Sequence, residues 1–188
     1  MKHASPLIHV VRQPSAERPA GAPPPLLILL HGVGANEMQM HSIAPAFDPR
    51  CLVVSVRSPI AMGPSSFGWF HVSFTARGPV IVEREAMEAW KRVASFAEEA
   101  AEFYDADRER VYVGGFSQGG IIALASLLTA PHLFAGAFSM SGRLLPEALP
   151  HADIARVAGK PVLIVHGVHD QKLGIELARW ADEQLRER

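Results

Sequence analysis

Cysteine is almost absent from this chain. Cys51 stands alone among 188 residues, so no internal disulfide can form, and its place in an apolar run reads as a buried thiol suited to a reducing cytoplasm. Excess charge of either sign is absent too: 18 basic residues face 19 acidic ones, a formal net charge of -1. That balance gives no electrostatic footing for nucleic acid or for an anionic membrane surface, and neither is expected as a partner. No apolar run approaches the ~20 residues of a membrane span, and no basic-then-apolar leader opens the chain, so secretion is not expected. Metal-ligand spacing is missing as well. His166, His169 and Asp170 crowd one turn with no further ligand at a recognisable distance, so no metal is expected. The glycine clusters lack the Lys-Ser/Thr step of a P-loop and the third glycine of a dinucleotide fold, and no cofactor is expected.

What is present is apolar and alternating. With 48% hydrophobic residues and 20% charged ones, residues 1–188 read as a single domain with a sizeable core. Leu7 to Val11 suggests an edge strand, and Pro14 to Pro25, rich in Pro, Ala and Gly, an exposed connection. Leu26 to Leu30 is a continuous apolar run, as a strand covered on both faces should be. Asn36 can cap a helix extending towards Ala46. Cys51 to Val56, Phe134 to Met140 and Pro161 to Val165 supply further strands. Helices are expected over Glu83 to Tyr104, Ile121 to Thr129 and Leu173 to Arg188, where apolar residues recur by threes and fours. Alternating strands and helices with fully apolar strands imply an α/β fold: a mostly parallel sheet covered by helices on both faces. Between Arg57 and Val82 no clean period exists, and so long a connection reads as a functional loop.

The chain is organised around Val111 to Ala125. A β-branched run meets Gly114-Gly115-Phe116-Ser117-Gln118-Gly119-Gly120 and then a helix-forming run. The chain must turn sharply at Ser117, and Gly115 and Gly119 remove the side chains that would block the approach of strand and helix. Such an elbow lifts a serine hydroxyl above the sheet and aims the first backbone N–H groups of a helix at the same point. A serine hydroxyl is a weak nucleophile, so this chemistry also needs a histidine to take its proton and a carboxylate to orient that histidine. His31 to Gly34 and His166 to Asp170 also end apolar runs, where loops at the carboxyl rim of a parallel sheet assemble sites.

Together, His31-Gly32-Val33-Gly34, Gly115-Phe116-Ser117-Gln118-Gly119-Gly120, His166-Gly167-Val168-His169-Asp170 and Gly68-Trp69-Phe70 resemble the phospholipase/carboxylesterase family of α/β-hydrolases, which includes the acyl-protein thioesterases. The resemblance runs from about Leu26 to the end. It implies hydrolysis of a small-molecule carboxylic ester or thioester through an acyl-enzyme. On this chain it makes Ser117 the nucleophile, Asp170 the acid, and the backbone N–H groups of Val33 and Gln118 the oxyanion hole. Phe67, Trp69 and Phe70 are the residues expected to line an acyl pocket, with a satellite core under the loop as the competing reading. The oligomeric state stays open, a homodimer included.

One departure from the pattern is plain. Hydrolases of this fold order their triad as serine, acid, histidine, yet eighteen residues follow Asp170 and none is His. The expectation is that the last strand and helix of the fold are missing together with a Gly-His step some way beyond Arg188, with a genuine short hydrolase relative as the competing explanation. The intact mass of the native protein tests this. Two alternatives stand beside it: a hydrolase-fold ligand-binding protein that lacks the base, and a dienelactone-hydrolase-like enzyme, for which the nucleophile should be cysteine rather than Ser117.

Overall fold

The computed structural model describes residues 7–17, 19, 21–75 and 78–187. Strands β1 (His9–Arg12), β2 (Pro25–Leu30), β3 (Leu52–Val56), β4 (Ile60–Gly63), β5 (Ser66–Gly68), β6 (Val72–Thr75), β7 (Gly78–Ile81), β8 (Asp107–Phe116), β9 (Gly136–Met140) and β10 (Val162–Val165) alternate with five α-helices. The helices are α1 (Glu37–His41), α2 (Glu83–Phe103), α3 (Gln118–Thr129), α4 (Ile154–Val157) and α5 (Ile175–Arg186). Six strands form one sheet in the order β1-β3-β2-β8-β9-β10. Only β1 runs antiparallel. Parallel neighbours require crossovers, and the helices supply them.

The two faces of this sheet are covered unequally. On one, Leu26, Ile28 and Leu30 of β2 and Leu52, Val54 and Val56 of β3 pack with Trp90, Val93 and Ala97 of α2 and Ile122 of α3. Burying these large side chains is the main source of stability, on the order of 1.5–3 kcal/mol for each one taken fully out of water. On the other, Leu27, Leu29 and Val53 meet Met40 of α1, Ala44 of the following short helical turn, and partly buried Phe47, Cys51, Tyr112, Phe138 and Met140. Asn36 does cap α1, its side chain accepting from Met38 N, but the helix stops at His41 and Ala44–Ala46 forms a separate 3-10 turn. Pro45 lacks the N–H that a longer α-helix would need.

Two sequence expectations change. Residues 57–82 are not one irregular loop but two small antiparallel hairpins, β4 with β5 and β6 with β7. Strands of three and four residues are too short to show a period, and Ser65, at φ 55°, makes the first turn without glycine at that position. The run from Pro161 to Val165 is not fully buried either. Among the described residues β10 pairs with β9 alone; Val162 and Ile164 face the helices, while Leu163 and Val165 stand 60% and 50% exposed on the thinly covered face.

Candidate active site

Ser117 sits between β8 and α3 with φ 51°, a left-handed conformation that a residue with a side chain holds only where its surroundings impose it. They do so from both sides. Ser117 N donates to the Met140 carbonyl on β9 at 2.8 Å, and Ser117 O accepts from Ile121 N at 3.0 Å to start the helix. A Cβ on Gly115 would collide with the Leu30 carbonyl oxygen and the Gly119 backbone, and one on Gly119 with the carbonyls of Leu30 and His31. Hence β2, β8 and α3 meet backbone to backbone directly beneath the serine. Sequence reasoning found this turn because its cause is local.

The neighbouring loop after β2 is held by buried polar contacts. His31 is fully buried; its Nδ1 donates to the Gly32 carbonyl at 2.7 Å and its Nε2 accepts from Ser58 N at 3.0 Å. Both nitrogens are therefore committed, and burial lowers the imidazole pKa, which keeps the ring neutral. Glu37, also buried, is held below the ordinary carboxylate range by hydrogen bonds from Arg57, whose Nε lies 2.6 Å from Glu37 Oε2. The Gln118 side chain clamps the loop to the turn: Oε1 accepts from Trp69 N and Nε2 donates to the Phe70 carbonyl, each at 2.7 Å.

Three groups in this region keep unspent capacity. Among the described residues, the Ser117 hydroxyl and the backbone N–H groups of Val33 and Gln118 have no hydrogen-bond partner. All three residues line one cavity of about 350 Å³, walled otherwise mainly by Phe70, Val72, Ile81, Phe116 and Ile121. A hydroxyl, two free N–H donors and apolar walls form a surface that can receive a carbonyl compound and donate to its oxygen.

Residues 12–188 match the phospholipase/carboxylesterase family. The chain belongs to that family. It is 31% identical over 200 residues to the esterase YpfH of Escherichia coli, a match covering 98% of this chain and 75% of the relative. With acyl-protein thioesterase 1 of Kluyveromyces lactis it shares 29% identity over 177 residues, 87% of this chain and 75% of the other. The fold resembles a Bacillus cereus carboxylesterase with a TM-score of 0.79 and 25% identity, covering 96% of this chain and 80% of that one. Acyl-protein thioesterase 2 of Zea mays, at a TM-score of 0.71 and 20% identity over 96% of this chain and 84% of that one, shares the fold. The sheet is thus that of an α/β-hydrolase, and the family is one of ester and thioester hydrolases.

Within this phospholipase/carboxylesterase frame the other expected residues are distributed unevenly. Asp170 lies past the end of β10, on the same rim as Ser117, but it is not among the residues lining the cavity. Its Oδ1 accepts from Lys172 N at 2.8 Å and from Leu173 N at 3.0 Å, and these bonds lower its pKa. Lys172 and Leu173, which it positions, do line the cavity. Phe70 lines it as expected, whereas Phe67 and Trp69 do not. A buried indole N–H needs an acceptor; Trp69 Nε1 finds the His31 carbonyl at 3.0 Å, which turns the ring into the core. Phe67 exchanges backbone bonds with Gly34 and Ala35, and its ring lies under the Arg57 guanidinium, 4.7 Å from centroid to Cζ. Both brace the loop rather than form the pocket.

No histidine lines the cavity among the described residues; His3 lies outside them. His71 is beside Glu85, Nδ1 to Oε2 2.9 Å. His166 Nε2 donates to the Leu173 carbonyl at 2.7 Å and shapes the acid loop. Nor do the described residues group three or more His, Cys, Asp or Glu side chains as a metal site would. Sequence reasoning missed Val72, Ile81, Arg143 and Leu173 as lining residues. The alternating Val72 and the Val80-Ile81 pair were the available signal for the hairpin wall; nothing local marked Arg143.

Proposed function

We propose that this protein is a serine hydrolase that cleaves carboxylic esters or thioesters through an acyl-enzyme on Ser117. The observation that carries the reading is the conjunction at one cavity of a hydroxyl held in a left-handed turn and two unpartnered backbone N–H groups. In this reading Ser117 Oγ attacks the carbonyl carbon, and the Val33 and Gln118 N–H groups stabilise the oxyanion as it forms. The leaving alcohol or thiol departs, and water then releases the acid. Asp170 orients the base through the loop it holds. The base is an imidazole delivered from outside the lining of this cavity. Phe70 with the β6–β7 hairpin accommodates the acyl chain. The lone Cys51 suits a reducing, cytoplasmic setting.

The experiment is a panel of p-nitrophenyl esters and acyl thioesters given to the native-length protein and to Ser117→Ala. The expected result is turnover by the first and loss on the order of a million-fold in the second; equal rates in both would overturn the reading. One observation favours a second reading, a ligand-binding protein on a hydrolase frame: among the described residues no histidine lines the cavity. That reading expects binding of acyl esters with no turnover by either protein.

A further inference from the structure

The cavity at Ser117 has two charged lining residues, Arg143 and Lys172, and both are cations. Arg143 is the unusual one. It follows β9 through Ser141, at φ 49°, and Gly142, whose hydrogen-only side permits packing against the first turn of α3. The guanidinium is only partly exposed, and burial lowers its pKa. Yet among the described residues it makes no hydrogen bond and no ion pair within 4.0 Å. Glu147 is the acid that acts on it, from beyond 4.0 Å, with its own Oε2 buried and without a hydrogen-bond partner, and the amide side chains that share the cavity wall are already engaged. Gln118 spends its side chain on Trp69 and Phe70, and Gln39 accepts from Gly32 N. Guanidinium N–H donors that are partly buried and make no hydrogen bond are costly unless a ligand accepts from them.

We propose that Arg143 recognises a carboxylate on the substrate, so that the Ser117 cavity takes monoesters of dicarboxylic acids in preference to neutral esters. The planar guanidinium fork matches a carboxylate with two parallel N–H···O bonds. The substrate class is a carboxylate rather than a dianionic phosphate because a single guanidinium, that of the half-buried Arg143, lines the cavity, while Lys172 beside it is exposed to solvent. Hydrolysis of such a half-ester consumes one water, breaks the acyl carbon–oxygen bond, and yields the alcohol, the second carboxylate and one proton. The inference rests on the hydrolase reading for the position of the ester group, but recognition can be measured without turnover.

The test is NMR titration of the Ser117→Ala protein with the monomethyl esters of succinic, glutaric and adipic acids, each against its dimethyl ester. At the length that spans Ser117 to Arg143 the monoester binds about tenfold tighter than the diester. Adding Arg143→Gln brings the ratio close to one, and Arg143→Lys, which keeps the charge but not the fork, leaves two- to threefold. Should the glutamine variant not fold, the fall to this intermediate ratio carries the test. Equal binding of mono- and diester at every length, or a ratio undiminished by either Arg143 substitution, overturns the proposal. Failure of the hydrolase reading shows elsewhere, as absent turnover of p-nitrophenyl esters by the native-length protein while the charge preference persists.

Discussion

The Ser117 turn and the Asp170 loop stand on the same rim of one sheet, two strands apart, and are built in opposite ways. Beneath Ser117 the packing is backbone on backbone: Leu30, His31, Gly115 and Gly119 meet with no room for a methyl group, and α3 is buried along almost its whole length. The Asp170 loop follows β10, whose Leu163 and Val165 are exposed, and Val168 beside it is 66% exposed. Its order comes from a few hydrogen bonds: Asp170 to Lys172 N and Leu173 N, and His166 to the Leu173 carbonyl. One element of the site is fixed by the close-packed interior, where small volume changes are felt. The other is fixed by local polar bonds near water, which are worth less and depend on protonation.

Substitutions can break that contrast, and the glycines give its two extremes. Gly119→Ala forces a methyl group into the Leu30 and His31 carbonyls and should cost about 3 kcal/mol or more, read as the shift in urea midpoint or as failure to fold. Next is His31→Ala, which removes the acceptor of Ser58 N and the donor to the Gly32 carbonyl; about 2–3 kcal/mol is expected. Because burial sets the folded pKa of His31 below 6.5, the unfolded chain takes up the proton first. The contribution of His31 is full above that value and is lost as pH falls from it towards the lower folded value. Urea midpoints across that range should fall in the wild type and flatten in His31→Ala.

Smaller effects are expected on the acid side. Asp170→Ala deletes the acceptor for two partly exposed N–H groups and should cost about 1 kcal/mol. The folded carboxyl pKa is depressed below 3.8 by those bonds, so this stability is present above the ordinary value and disappears as pH falls through the folded one. Acid titration of the wild type and of Asp170→Ala should therefore converge at the low end. Gly167→Ala, where an added methyl group meets nothing within 4 Å, should stay within about 0.5 kcal/mol of the wild type. A large loss at Gly167 or a neutral result at Gly119 would remove the contrast.

How much of this was legible in the sequence follows the same division. The Ser117 turn was legible because a strand, two glycines and a helix are adjacent in the chain and each has a single steric purpose. The parallel sheet was legible from unbroken runs such as Leu26 to Leu30. Coverage was not: nothing in Val162-Leu163-Ile164-Val165 distinguishes a strand wrapped on two faces from an edge exposed on one. The roles of Phe67 and Trp69 were hidden for a related reason. An aromatic run looks the same whether it lines a pocket or braces a loop, and the difference lay in the His31 carbonyl and the Arg57 guanidinium, 38 and 10 residues away. Arg143 gave no local sign, since its significance is that its guanidinium lines the cavity and makes no hydrogen bond among the described residues.

The central claim is that the one hydroxyl raised by the left-handed turn is the reactive atom. Treating the native-length protein with a fluorophosphonate and reading intact mass and peptide map tests it directly. A single adduct, on Ser117 and absent from Ser117→Ala, is the predicted result. An unmodified wild-type protein, or an adduct that forms equally in the alanine variant, would contradict it.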